Sequence, residues 1–157
     1  MRQEGAGIDL ETSLGYLLKE ASSALRAAME AALRPLGLTV TQYSCLELLA
    51  QRPGLSASDL ARGAFVTRQS MNVLLQGLAQ DGLVTRSAEP AVGKTLPTQL
   101  TTRGRETLDR ATAAVRSVEL RMLDGMTDAE QSDALRLLRS MVRSLRDGGA
   151  DVGSGPS

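Results

Sequence analysis

The chain has 157 residues, of which 42% are apolar and only 2% aromatic, so leucine, alanine, valine and methionine must build its core, as in packed helices. Its formal net charge of zero excludes binding to polyanions by bulk charge alone. It has no histidine, one cysteine and no apolar leader or long apolar run, so we expect a cytoplasmic, non-membrane protein without a disulfide, metal or other cofactor.

A long first helix is predicted over residues 9–34. Apolar residues recur at spacings of three and four from Leu10 to Leu33, and Pro35 and Gly37 then stop the pattern. The helix exceeds what a compact fold of this size needs for its own core, which favours a role in an interface. Residues 1–8 are expected to be flexible.

Two shorter helices follow, each opened by a side chain that caps its first turn. Thr39 and Gln42 have the spacing of a capping box, and the helix they open ends before Pro53 and Gly54. Ser56, with Asp59 three residues later, predicts a short helix from Ala57 to about Gly63.

The next helix is followed by a change to strand-like periodicity. Thr67 caps a helix that runs to Gln80, and Gly82 is its expected left-handed terminator. Residues 83–86 and 95–101 are candidate strands of a β-hairpin whose tip lies near residues 90–93.

The last two predicted helices are long and amphipathic. The first begins at Thr101 or Thr102, steps its apolar residues in heptad fashion and ends at Gly125. Thr127 and Glu130 form another capping box that opens the second. The glycine-rich residues 147–157 are expected to be disordered, because they have little to bury.

The helices that Ser56 and Thr67 open, followed by a basic hairpin, form the pattern of a winged helix-turn-helix. The predicted fold is therefore mainly α, with a small β-hairpin wing and long N- and C-terminal helices. Six basic and two acidic residues give residues 62–105 a net charge of +4. The helix that Thr67 caps is the second of the pair, and we call it the recognition helix; one of its faces is polar, and its Gln, Asn and Arg side chains suit base edges in a major groove. The candidate DNA-binding residues are Arg68, Gln69, Ser70, Asn72, Val73 and Gln76 of this helix, with Arg86 and Lys94 of the hairpin.

Four stretches, in this order and spacing, resemble the MarR family of regulators. The resemblance covers roughly residues 10–145. We therefore expect residues 9–146 to form a single domain. The stretches are Leu38-Thr39 with Gln42-Tyr43, Val66-Thr67-Arg68-Gln69-Ser70-Met71-Asn72, Gly82-Leu83-Val84, and Leu100-Thr101-Thr102-Arg103-Gly104.

The resemblance implies a homodimer built by the helices of residues 9–34 and 102–146, with the winged helix-turn-helix of residues 39–101 placed on a pseudopalindromic operator in double-stranded DNA. It also implies a repressor that a small apolar or phenolic ligand releases. Such a ligand is expected between the first helix and the DNA-binding lobe, near Leu17, Ala21, Tyr43 and Met71.

Two residues depart from the family pattern and keep other functions open. Lys94 stands where an arginine is usual at the wing, and Val73 stands where a polar residue is usual on the recognition helix. They motivate the alternative of a winged-helix interaction module that has lost DNA binding. An enzyme is disfavoured, because no histidine, phosphate loop or nucleophile with a base is present. Cys45 lies among leucines and is interpreted as a small buried residue rather than a redox switch.

Overall fold

The computed structural model describes residues 7–86 and 98–148, which are mainly helical. A 3-10 turn, Arg34–Leu36, follows the first helix. The elements in chain order are α1 (Leu14–Leu33), α2 (Val40–Gln51), α3 (Ala57–Gly63), α4 (Arg68–Gln80), β1 (Val84–Arg86), β2 (Thr98–Leu100), α5 (Thr102–Met122) and α6 (Asp128–Asp147). This is the fold class that the sequence predicts, with α3 and α4 followed by the two wing strands.

The predicted helix caps are confirmed. The side-chain oxygens of Thr39, Ser56 and Thr127 each accept a hydrogen bond from the backbone N–H three residues later, and each box is closed by the residue at that position. Hydrogen bonds from Ser56 hold the pKa of Asp59 below its ordinary value, and those from Thr127 do the same for Glu130. Local capping chemistry therefore defines these helix starts.

The first helix is shorter than predicted, because it begins at Leu14 rather than at residue 9. The Ser13 side chain accepts a hydrogen bond from the backbone N–H of Tyr16 at 3.2 Å. Just before it, the Asp9 carboxylate accepts from the backbone N–H of Glu11 at 3.1 Å, within a turn. Such side-chain to backbone bonds compete with the helix, so the apolar pattern extends beyond the helix itself.

The end of α6 also differs from the prediction. Asp147, expected to open a disordered tail, is the last residue of α6, and the backbone N–H of Gly148 still bonds to the Ser144 carbonyl at 3.1 Å. The helix hydrogen-bonding pattern therefore continues to this point. Residues 149–157 of the predicted tail lie outside the described residues, as do residues 1–6 of the predicted flexible N-terminus.

The wing strands are antiparallel, with Val84 opposite Leu100 and Arg86 opposite Thr98. The predicted hairpin tip at residues 90–93 lies outside the described residues. Leu83 and Thr101, which the sequence predicts as strand residues, instead form the junction with α5, and residues 95–97 of the predicted second strand lie outside the described residues. There the Thr101 N–H donates to the Leu83 carbonyl at 3.1 Å.

Thr101 joins the base of the wing to the first turn of α5. Its hydroxyl donates to the Gly82 carbonyl at 2.6 Å and accepts from the backbone N–H of Gly104 at 2.9 Å. Gly104 lies so close to Leu83 that a Cβ on this residue would overlap the Leu83 carbonyl oxygen. The junction thus requires glycine for the close approach of two backbones.

The chain divides into two compact units, residues 1–119 and 120–157. This boundary falls inside residues 9–146, and the assignment of that stretch to one domain stays a prediction. The core of the first unit joins α2, α3 and α4 with the beginning of α5. Its fully buried large side chains are Leu33, Cys45, Leu46, Leu60, Met71, Leu75 and Leu78. The second unit carries α6, on which five apolar side chains are exposed, Leu135, Leu137, Leu138, Val142 and Leu145.

Candidate nucleic-acid interface

Helix α4 has one buried face and one exposed face. Met71, Leu75 and Leu78 are buried, and they fix how the helix packs on the core. The exposed face carries the residues that the sequence singles out, Arg68, Gln69, Ser70, Asn72, Val73 and Gln76. Because the apolar face fixes the packing of the helix, this polar face is free to meet a ligand such as a DNA groove.

Five of these six residues meet Arg86 of β1 around one open depression. We call it the recognition surface, and it is lined by Arg68, Gln69, Asn72, Val73, Gln76 and Arg86. Two guanidinium groups and three carboxamides give it donors and acceptors of the kind that pair with base edges and phosphates. Val73, 66% exposed, is its apolar member and suits a thymine methyl group.

Ser70 belongs to the helix cap instead. Its backbone N–H donates to the Thr67 hydroxyl oxygen at 3.1 Å, and the Thr67 hydroxyl lies 2.9 Å from the Ser70 hydroxyl oxygen. Lys94, the other predicted DNA-binding residue, lies outside the described residues. The roles of both residues in DNA binding therefore stay predictions.

Arg86 lies closer to the recognition helix than the sequence indicated. Its Nη2 atom is 3.4 Å from the Oδ1 atom of Asn72, and its Nε atom is buried without a hydrogen-bond partner among the described residues. The sequence predicts Arg86 only as a DNA-binding residue of the hairpin. The pairing with Asn72 joins residues fourteen positions apart, and no local pattern in the sequence indicates it.

Phe65 has an unusual backbone conformation that the sequence did not indicate. It lies in the turn between α3 and α4, is 87% exposed and has a φ of 59°. Such a backbone conformation is uncommon for a bulky residue and usually belongs to glycine. A phenylalanine in the sequence gives no signal of a left-handed turn.

The four residues predicted to line a ligand pocket lie in different environments within the single chain. Met71 is fully buried in the core, whereas Leu17 and Ala21 are exposed. Tyr43 is partly buried, and this burial raises the pKa of its hydroxyl above the ordinary value. The pocket therefore stays a prediction.

Cys45 is inside the core, as the sequence indicates. Its side chain is fully buried, and burial raises the pKa of its thiol to about 12. A thiol in this environment stays protonated, whereas a reactive redox cysteine needs an accessible thiolate.

Within residues 7–86 and 98–148, no cluster of three or more His, Cys, Asp or Glu side chains has the arrangement of a metal site. In the same part of the chain, no helix combines the length and apolar character needed to cross a membrane.

The chain is similar in sequence and in fold to known transcriptional regulators. A sequence model of the MarR family matches residues 36–94, from before α2 into the wing. The chain is similar to the HTH-type transcriptional repressor Rv2887 of Mycobacterium tuberculosis, with 43% identity over 135 residues, 86% of this chain and 97% of that protein.

Two crystal structures of Rv2887 resemble the chain in fold, each with a TM-score of 0.69 and each covering 83% of this chain. One is a complex with DNA, with 42% identity and 98% of that chain covered. The other is a complex with salicylic acid, with 44% identity and 96% of that chain covered.

Proposed function

The chain belongs to the MarR family of transcriptional regulators, and from this premise we propose that it is a homodimeric repressor of a pseudopalindromic operator. The observation that carries the proposal is the recognition surface, where the exposed polar face of α4 meets Arg86. A similar repressor, Rv2887, has been crystallised with DNA. The proposed DNA target of this chain implies that the chain acts in the cytoplasm.

In this proposal α4 enters the major groove with its N-terminal residues nearest the bases. Gln69 and Asn72 lie about one turn apart on the exposed face, and their carboxamides pair with base edges. Arg68 reaches a guanine or a phosphate, and Val73 contacts a thymine methyl group. Lys94 is retained as a phosphate contact on the sequence alone.

The homodimer is supported by large apolar side chains that are exposed in the described part of a single chain. On α1 these are Leu14, Leu17 and Leu18, and on α6 they are Leu135, Leu138, Val142 and Leu145. A stripe of exposed apolar side chains on a helix is typical of an interface with another protein. A second copy of the same chain covers both helices in a two-fold arrangement and brings two recognition helices to one operator.

The proposed readout is tested by salt titrations of DNA binding. An operator is first selected from a pool of random duplexes, and its affinity is compared with that of a scrambled duplex. Asn72→Ala should lose about 1 to 3 kcal/mol of binding free energy on the operator and little on the scrambled duplex. Gln80→Ala is the matched control, because Gln80 is an exposed carboxamide at the other end of α4.

Lys94→Ala should instead weaken binding to both duplexes and reduce the salt slope by about one unit for each phosphate that is no longer neutralised. Equal losses of Asn72→Ala on both duplexes would contradict base readout by α4. An absence of binding to any duplex at low salt would favour the interaction module over the repressor.

We also propose that a small aromatic or phenolic acid releases the repressor from DNA. The support is the salicylic acid complex of Rv2887 and the partly buried Tyr43, whose hydroxyl is close to Thr112 and Glu47. Salicylate added to the complex with DNA should dissociate it. Tyr43→Ala should respond less, whereas Tyr16→Ala, which removes the exposed tyrosine of α1, should respond as the parent does. Release that is equal in all three proteins would remove Tyr43 from the effector site.

A further inference from the structure

The contact between Arg86 and Asn72 restricts which hydrogen-bonding groups the recognition helix can offer. Arg86 Nη2 lies 3.4 Å from the carboxamide oxygen of Asn72. A guanidinium group has only donors, so only the oxygen of the carboxamide can face it. The amide nitrogen of Asn72, on the other arm of the carboxamide, then points away from Arg86.

An asparagine that reads adenine needs both arms of its carboxamide on the same base. The nitrogen donates to adenine N7, and the oxygen accepts from the adenine N6 amino group. With the oxygen turned toward Arg86, Asn72 offers the base its two N–H groups instead. Arg86 itself adds only further donors to the recognition surface that the two residues share.

We propose that Arg86 is a positioning residue that turns Asn72 into a donor and so makes this pair prefer guanine over adenine. Guanine presents two acceptors in the major groove, N7 and O6, whereas adenine presents N7 beside the N6 donor. A pair of side chains that offers only donors can bond to both acceptors of guanine. On adenine, one of its donors would face the N6 amino group, which is also a donor. The inference rests on the proposed function, because it concerns the base readout by α4.

The position of Arg86 supports this role over a freely moving phosphate contact. Its Nε atom is buried, so the stem of the side chain lies against the protein. This placement holds the outer guanidinium nitrogen Nη2 next to the carboxamide oxygen of Asn72.

The test is the base preference of the full-length protein, measured by selection from a pool of random duplexes and by titration of single-base variants of the selected site. Arg86→Met removes the donors and keeps a stem that packs, and Arg86→Lys keeps a charge and a donor. The parent should select guanine at one base pair in each half-site, and Asn72→Ala should abolish that preference. Arg86→Met should shift the preference at this base pair toward adenine by at least about fivefold.

Two further variants separate positioning from a general loss of charge. Arg86→Lys should retain the guanine preference, and the double variant Arg86→Met/Asn72→Ala should match Asn72→Ala at this base pair. Arg62→Ala removes an exposed guanidinium of α3 that pairs with Asp59 and does not line the recognition surface, and it should leave this preference unchanged. Melting temperatures check that every variant is folded.

The inference is overturned if Arg86→Met weakens binding to all sequences equally and leaves the preference intact, which is the behaviour of a phosphate contact. It is also overturned if the parent prefers adenine at the base pair that depends on Asn72. If the parent protein selects no sequence at all, the proposed function and this inference both fail. If it selects a sequence but gives either of the two results above, only this inference fails.

Discussion

The carbonyl oxygen of Leu83 lies against the α-carbon of Gly104, where it leaves no space for a side chain. Gly104→Ala should therefore lower the free energy of unfolding by about 2 kcal/mol, because the backbones at the base of the wing must move apart. Gly77→Ala is the matched control, since a Cβ on this helical glycine of α4 meets nothing within 4 Å. It should stabilise the protein by about 0.5 to 1 kcal/mol. Urea unfolding measures both changes, and equal stability of Gly104→Ala and the parent would contradict the close contact.

The left-handed backbone of Phe65 predicts a stabilising substitution. Phe65→Gly should raise the free energy of unfolding by about 1 kcal/mol, because glycine adopts a φ of 59° without steric cost. Phe65→Ala should change it little, since the backbone cost remains and the ring is exposed. Denaturant unfolding of the three proteins separates the effects. If alanine stabilises as much as glycine, the ring and not the backbone is responsible.

Burial of Cys45 predicts a loss of stability in alkali. Its thiol has a pKa of about 12 in the folded protein and 9.0 ordinarily, so the folded state holds the proton more tightly. This contribution is fully present below pH 9 and falls as the pH rises from 9 toward 12. Between pH 7 and pH 10, the stability of the parent relative to Cys45→Ala should fall by about 1 kcal/mol. Urea unfolding under reducing conditions tests this, and parallel pH profiles of the two proteins would refute it.

The apolar stripe of α6 predicts the oligomeric state. The parent should sediment at twice its chain mass of 16.6 kDa at micromolar concentration. Val142→Asp should shift it toward monomer, because an unpaired carboxylate is costly to bury in an interface. Ser140→Asp, which adds the same charge on the opposite face of α6, should remain dimeric. Identical sedimentation of the two variants would show that this stripe is not the interface.

The parts of the fold that depend on neighbouring residues were predictable from the sequence. Thr39, Ser56, Thr67 and Thr127 cap helices because each side chain bonds to a backbone N–H three residues away. The start of α1 was not predicted correctly, because the apolar periodicity says nothing about the competing turn at Asp9.

The exposure of the α4 candidates could be predicted from the sequence, whereas their contacts with other elements could not. The polar face of α4 follows from helix periodicity, since Met71, Leu75 and Leu78 must face the core. The contact between Arg86 and Asn72 depends on how β1 packs beside α4, which is a tertiary relationship. The conformation of Phe65 runs against the intrinsic preference of its residue type, and only the surrounding structure imposes it.

The recognition surface is lined by two arginines and no carboxylate, although the whole chain has no net charge. The attraction to DNA therefore comes from a local field that salt screens beyond about 8 Å at physiological ionic strength. A protein of this kind gains little long-range acceleration as it diffuses toward DNA, and it is held only weakly at random sites. We therefore expect its search for the operator to proceed by short, frequently interrupted visits to DNA, and its orientation to be set only within a few ångströms of the duplex.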